Sequence, residues 1–114
     1  MVNKWEIYFC NLDPTKGSEQ RGTRPVIVIS TDAVNHNLTV STVLPLSSVK
    51  PGDKIYPTEI LLNTNETGLP KLSVAMVQQI RTVAHDRLLN KVSVLTNIAK
   101  QEEISEALRN YFDI

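Results

Sequence analysis

The sequence has a single cysteine and no long apolar run, and each of these shortages excludes a class of protein. One cysteine cannot form an intrachain disulfide, and Cys10 lies inside an alternating apolar segment, so we expect a buried free thiol in a reducing compartment. No apolar run approaches the ~18 residues of a membrane span, and the N-terminus has no basic segment followed by an apolar one. We therefore expect a cytoplasmic protein with no membrane partner.

The chain also lacks an excess of charge of either sign, because 12 Lys and Arg residues balance 12 Asp and Glu residues. This balance excludes the global basic field of a protein that binds duplex nucleic acid non-specifically, so a nucleic-acid role has to rest on a local patch. One Trp, three Tyr and two Phe are too few for a platform that stacks several bases. One Cys and two scattered His cannot build a zinc site, and no Walker-type phosphate loop is present, so we expect no metal and no cofactor.

The chain of 114 residues is long enough for one domain with a sizeable core. Alternating or β-branched segments predict strands at 5–12, 25–31, 38–46, 57–62, 72–83 and 91–95. Pro45 near the end of the third segment suggests a bulge or a sheet edge. From about Ile98, apolar residues recur at helical spacing, which predicts a C-terminal helix. We expect a single α+β domain over residues 1–114, built as a small antiparallel, barrel-like sheet with the helix packed across it.

The chemically richest stretch runs from Asp13 to Pro25 and leads directly into the best strand. Gly17 and Gly22 allow positive φ or close approach of a ligand, while the prolines at 14 and 25 restrict both ends. Between them lie one carboxylate, one amide and two guanidinium groups: Glu19, Gln20, Arg21 and Arg24. These groups can hold and polarise an anionic substrate such as a phosphodiester.

Other polar residues of the chain allow less specific interpretations. Lys16, Arg21, Lys50 and Lys54 fall in two loops and could form a basic rim, or could simply be solvated. His36 and His85 lie in turn-like polar sequence, so we interpret them as surface residues rather than as a catalytic pair. Arg24 could also merely pair with Glu19 at a strand end.

The segment Gly17–Gln20, followed by Gly22–Pro25 and a Val/Ile strand, resembles the MazF/PemK/Kid family of toxin endoribonucleases. Leu12–Pro14 upstream and Val77–Thr82 downstream are similar to other segments of that family, in the same order and over nearly the whole chain. The resemblance implies an SH3-like barrel of the MazF/Kid/CcdB type and a homodimer. It also implies metal-independent cleavage of single-stranded RNA and inhibition by a cognate antitoxin protein.

The resemblance also implies roles for individual residues. The arginine before the proline is catalytic in the family pattern, which is Arg24 here, and the threonine that assists it corresponds to Ser47. A serine at this position lacks the methyl group that stiffens χ1, and a shift of register would give the role to Ser48. Glu19 is the candidate base or the residue that orients Arg24, and a base role requires burial.

Residues expected to contact RNA complete the set. In an alternating strand only one of Gln78 and Gln79 can face the groove, and the family match favours Gln79 with Arg81 on the same face. The expected RNA-binding residues are Ser18, Gln20, Arg21, Thr23, Ser48, Gln79 and Arg81.

The chemistry expected of this family uses the RNA's own 2′-hydroxyl as the nucleophile. Its attack on the adjacent phosphorus leaves a 2′,3′-cyclic phosphate and a 5′-hydroxyl. Two alternatives stay open: a non-enzymatic CcdB-like toxin that binds DNA gyrase, and a catalytically silent relative that only binds. The combination of Glu19, Gln20, Arg24 and Pro25 argues against the first, and the serine at position 47 is the only hint of the second.

Overall fold

The computed structural model describes all 114 residues, which form seven strands and three helices. In chain order these are β1 Glu6–Asn11, β2 Thr23–Val28, α1 Asp32–Asn37, β3 Val40–Ser48, β4 Glu59–Leu62, α2 Thr64–Thr67, β5 Ser73–Met76, β6 Arg81–Ala84, β7 Leu88–Val94 and α3 Ile98–Phe112. Single 3₁₀ turns at Val77–Gln79 and His85–Arg87 precede β6 and β7. Every strand pairing is antiparallel.

The sheet runs in the order β4-β5-β3-β2-β1-β7, with β6 also paired to β3. Residues 40–43 of β3 pair with β6, and residues 46–48 pair with β5. Pro45 lies between these two stretches and opposite Val26 of β2, so β3 is a central strand. The proline therefore marks a change of pairing partner rather than a sheet edge, and such a break in a ladder is where proline is tolerated.

Strand alternation sends two apolar sets to opposite faces of the sheet. The larger set includes Ile7, Ile27, Leu44 and Leu46, and the smaller set includes Cys10, Val26 and Val43. Helix α3 covers the larger set through Ile104, which is fully buried. This arrangement confirms the predicted antiparallel sheet with a C-terminal helix.

Helix α3 begins at a capped residue and is the longest helix of the chain. The Asn97 side chain accepts a hydrogen bond from the Lys100 amide at 3.2 Å, which satisfies one of the free donors of the first turn. The helix has 15 residues. Neither this helix nor any other helix of the chain is long and apolar enough to cross a membrane.

Cys10 is fully buried, as its alternating context predicted. Burial raises the pKa of the Cys10 thiol, although the charges of Arg81 and Arg87 act in the opposite direction. The thiol form is therefore favoured, and the residue packs as a small apolar side chain.

The single strand predicted over residues 72–83 is wrong. The chain breaks there into β5, a 3₁₀ turn at Val77–Gln79 and β6, because it passes from pairing with one half of β3 to pairing with the other. Val77 is buried in the larger core, so the alternating apolar pattern of the sequence continues through the turn. The pattern alone therefore does not reveal the turn. Gln78 and Gln79 consequently do not point to opposite faces of a strand.

Candidate active site

The β1–β2 loop, residues 12–22, is closed at its base by backbone and side-chain hydrogen bonds. The Leu12 amide donates to the Gly22 carbonyl at 3.0 Å, and the Gly22 amide donates to Asp13 Oδ1 at 3.1 Å. Gly17 and Gly22 have φ values of +59° and +77°, and nothing lies within 4 Å of the position a Cβ would take. These glycines are therefore needed for their backbone conformation and not for space.

Three side chains from the segment after β5 hold this loop in place. The Gln79 Oε1 accepts from the Gln20 amide at 3.2 Å, and its Nε2 donates to the Ser18 carbonyl at 3.1 Å. Arg81 donates to the Leu12 carbonyl at 3.0 Å. Arg87 donates to the carbonyls of Asn11 and Asp13.

These bonds alter the interpretation of two predicted site residues. Gln79 and Arg81 were expected to contact RNA, and the structure directs their hydrogen bonds to the loop backbone. Arg87 was not singled out from the sequence, because it lies in a predicted turn and belongs to no motif. Its partners are 74 and 76 residues away, a separation that no local pattern reports.

Arg24 lies near the start of β2, next to the buried Cys10 of β1. Its Nε donates to the Arg21 carbonyl at 3.0 Å, and its guanidinium forms no ion pair. The terminal nitrogens are therefore free for an anionic ligand. The simple pairing with Glu19 that would have explained Arg24 structurally is not formed.

Glu19 is exposed and closes a turn within the loop. Its Oε1 accepts from the Lys16 amide at 2.6 Å, and its own amide donates to the Lys16 carbonyl at 3.2 Å. The structure thus gives Glu19 neither the burial that a base role requires nor a contact that would orient Arg24. Arg21 donates to the Gly17 carbonyl at 3.2 Å within the same loop.

Of the two serines at the end of β3, Ser48 lines a cavity together with Arg24, and Ser47 does not. The pairing of β2 with β3 ends at Val26 and Pro45, and Ser47 is paired with Val74 of β5. Ser48 is paired with Ser73 of β5. The structure therefore places Ser48 at the same cavity as the arginine and gives no contact of Ser47 with it.

A cavity of about 210 Å³, here called the Arg24 cavity, lies at this end of the sheet. Its polar lining consists of Arg24, Lys71, Ser48 and Ser73. Its apolar walls are Phe9, Pro25, Leu46, Leu69 and Pro70. Two cations and two hydroxyls line it without any carboxylate, so the cavity is suited to an anion.

A second cavity of about 160 Å³, here called the Gln79 cavity, lies beside the loop. It is lined by Glu19, Gln20, Pro45, Gln78, Gln79, Ile80 and Arg81. The Oε1 atom of Gln20 is the only buried side-chain nitrogen or oxygen of the chain without a hydrogen-bond partner. Ser18 and Thr23 line neither cavity, although the Ser18 carbonyl is held by Gln79.

The histidines lie away from both cavities. His36 is exposed, but His85 is half-buried, and its Nε2 lies 2.8 Å from the Oγ of the buried Ser41. His85 is thus part of an internal polar network, which corrects the surface position expected for it. No group of three or more His, Cys, Asp or Glu side chains is placed to hold a metal ion.

Comparison with known proteins agrees with this geometry. A family profile described as "PemK-like, MazF-like toxin of type II toxin-antitoxin system" matches residues 3–112. The chain is 35% identical to "Endoribonuclease MazF9" of Mycobacterium tuberculosis, with 100% of this chain and 98% of that protein covered. It is 32% identical to "Endoribonuclease EndoA" of Bacillus subtilis, with 96% and 92% covered.

A solved structure shows the same fold. An endoribonuclease from a mycobacterial species, in complex with its cognate antitoxin, superposes with a TM-score of 0.80 at 18% identity, covering 100% of this chain and 97% of that one. The family profile matches nearly the whole chain, and so do the two curated relatives. The chain therefore belongs to the PemK-like, MazF-like toxins of type II toxin–antitoxin systems.

Proposed function

We propose that this chain is an endoribonuclease that cleaves single-stranded RNA at the Arg24 cavity without a metal ion. The observation that carries the proposal is the free guanidinium of Arg24, which lines a cavity together with Ser48 and Ser73 and without any carboxylate. Relatives of the chain at 32–35% identity are endoribonucleases, which supports the same class of reaction here.

The proposed reaction is an internal transfer at phosphorus. The ribose 2′-oxygen loses its proton to a base and attacks the adjacent phosphorus, and a bond from phosphorus to the 2′-oxygen forms. The bond from phosphorus to the 5′-oxygen breaks, and the departing oxygen takes a proton from water. The products are a 2′,3′-cyclic phosphate and a 5′-hydroxyl. Because the substrate supplies the nucleophile, the protein has to align it, remove its proton and stabilise the charge that develops on the phosphoryl oxygens.

Named groups are available for each of these tasks. The terminal nitrogens of Arg24 can donate to two phosphoryl oxygens at once, while its Nε stays on the Arg21 carbonyl. Ser47 supplies a further hydroxyl donor from the end of β3. Glu19, which lines the neighbouring Gln79 cavity, is the proposed base, and to act it has to be buried by the bound RNA and to exchange its hydrogen bond with the Lys16 amide for one with the 2′-hydroxyl.

RNA bound across both cavities would contact further loop residues. Ser18, Arg21 and Thr23 are proposed to line its path, with Ser48 at the Arg24 cavity. Gln20 lines the Gln79 cavity, and a rotation of its side chain would bring the unpartnered, buried Oε1 to a base edge, where it can accept a hydrogen bond. Gln79 and Arg81 contribute mainly by holding the loop that carries these groups.

The proposed partners follow the family. The solved mycobacterial complex contains a cognate antitoxin, and we propose an antitoxin partner for this chain as well. A homodimer and a cytoplasmic location are proposed on the same grounds.

One assay tests the proposal. Purified protein is incubated with a labelled single-stranded RNA in EDTA, and with the same strand carrying 2′-deoxy nucleotides. We expect cleavage that resists EDTA, is absent with the deoxy strand and leaves a 2′,3′-cyclic phosphate. Cleavage of the deoxy strand, or a need for divalent metal, would overturn it, and gyrase inhibition without RNA cleavage would favour the CcdB-like alternative.

A further inference from the structure

We propose that Lys71 is a second phosphate-binding residue of the Arg24 cavity and binds the RNA phosphate next to the one held by Arg24. The inference rests on the proposed function and deepens it, because it assigns two consecutive phosphates of one strand to one cavity. Lys71 lies in the connection between α2 and β5, far in sequence from the loop that contains the family-like motifs.

The backbone around Lys71 is held from several directions. Leu69 is 7% exposed and packs in the larger core, and its amide donates to Thr67 Oγ1 at 3.0 Å. The Lys71 carbonyl accepts from Ser73 Oγ at 3.0 Å. The Val49 amide donates to the Leu72 carbonyl at 2.9 Å, which fixes this connection beside the end of β3. A fixed backbone keeps the lysine beside the cavity, so that binding has to order only its side chain.

The ammonium group of Lys71 has no partner in the protein. Lys91 and Lys100 form ion pairs with carboxylates, and the ammonium groups of Lys4 and Lys54 lie over aromatic rings. Lys71 does neither, and no carboxylate lines the cavity that it borders. In a chain with no net charge, this is a local concentration of unneutralised positive charge.

The lining of the cavity provides a separate cation for each of two phosphates. Arg24 alone can hold a single phosphate by its forked donors, which leaves Lys71 as the donor for a neighbour. Phe9 and Pro25 belong to the apolar lining of the same cavity, and Phe9 is 37% exposed. The nucleoside between two consecutive phosphates can pack the face of its base against Phe9 and Pro25.

The test compares Lys71→Gln with Lys100→Gln, a change of the same charge on helix α3. The dissociation constant of a single strand with 2′-deoxy nucleotides is measured against salt concentration, and kcat and KM are measured on the RNA strand. Lys71→Gln should lower the slope of log Kd against log salt by about 0.7, the value for one single-strand phosphate contact. It should raise Kd and KM about three- to tenfold at low salt and leave kcat within about twofold.

Lys71→Arg keeps the charge and should keep the wild-type slope, which separates lost binding from misfolding. A slope for Lys71→Gln equal to that of Lys100→Gln would overturn the inference, as would a fall in kcat with unchanged KM. If the wild-type protein binds the strand with a Lys71-dependent slope yet cleaves no RNA, the proposed function fails and the inference stands.

Discussion

Arg24 illustrates how one side chain can be both anchored and available. Its Nε is held on the Arg21 carbonyl at 3.0 Å, which fixes the plane of the guanidinium and leaves the two terminal nitrogens for a ligand. A lysine has a single ammonium and cannot form both the anchor and the forked contact.

We therefore expect Arg24→Lys to lower kcat by about 10²- to 10³-fold despite the retained charge, since an oriented donor at developing charge is lost. Arg109→Lys on α3, where the arginine pairs with Glu106 at 3.0 Å, is the matched control and should leave kcat unchanged. Single-turnover cleavage of labelled RNA measures both. Full activity of Arg24→Lys would remove Arg24 from the chemistry.

The adjacent serines are expected to separate catalysis from binding. Ser47→Ala should lower kcat by at least about tenfold, because the hydroxyl that we propose as an assistant of Arg24 stabilises charge only as it develops. Ser48→Ala should mainly raise KM, because this residue lines the cavity that receives the strand. Steady-state measurement of kcat and KM for the two variants tests these expectations. A fall in kcat for Ser48→Ala with a raised KM for Ser47→Ala would assign the catalytic hydroxyl to Ser48.

At the scale of elements, the strands and the terminal helix could be predicted from periodicity, whereas the support of the loop could not. Alternation identified β1 and β3, and helical spacing identified α3, because both patterns record which face is buried. The turn at Val77–Gln79 continues the same alternation, so it was concealed. The contacts of Gln79 with residues 59 and 61 positions away depend on tertiary structure.

The role of Gln79 in holding the loop can be measured without RNA. In Gln79→Leu the Gln20 amide loses its acceptor, so we expect its hydrogen exchange in the free protein to accelerate by about fivefold or more. The neighbouring Gln78 is exposed and contributes no side-chain hydrogen bond, so Gln78→Leu should leave that amide unchanged. Exchange is followed by NMR at residue resolution. Equal exchange in both variants would mean that Gln79 does not hold the loop.

At the scale of the whole molecule, a buried charge joins the two strands at one end of the sheet. Glu6 of β1 is 3% exposed, and its carboxylate contacts the Lys91 ammonium of β7 at 2.6 Å, the Tyr8 hydroxyl at 2.9 Å and the Asn3 amide at 2.7 Å. Burial raises the pKa of Glu6, but these hydrogen bonds together outweigh it and hold the pKa below its ordinary value. Burial and the contact with Glu6 raise the pKa of Tyr8 to about 12.

A lowered carboxyl pKa gives stability that is present above the ordinary glutamate pKa of ~4.3 and is lost as the pH falls through the lower, folded value. Glu6→Gln should therefore lower the free energy of unfolding by about 1–3 kcal/mol near neutral pH. The difference from wild type should shrink below about pH 4. Urea unfolding across this range measures it, with the exposed Glu103→Gln as the control. A difference that does not change with pH would exclude a charged Glu6 as its source.

The fold class could be predicted from the periodicity of the sequence, and Arg24 could be singled out from a short motif, because both signals lie in neighbouring residues. The composition of the Arg24 cavity could not be predicted, since Lys71 and Phe9 reach it from separate parts of the chain. Neither residue belongs to the segments that resemble the family.

The long-range support of the β1–β2 loop has a consequence for the cell that makes this protein. The loop is translated early, but its holding side chains at positions 79, 81 and 87 follow only after two thirds of the chain. A nascent or truncated chain that ends before them lacks these hydrogen bonds, so its loop has no such support. We therefore expect RNA cleavage to begin only when most of the chain has been translated.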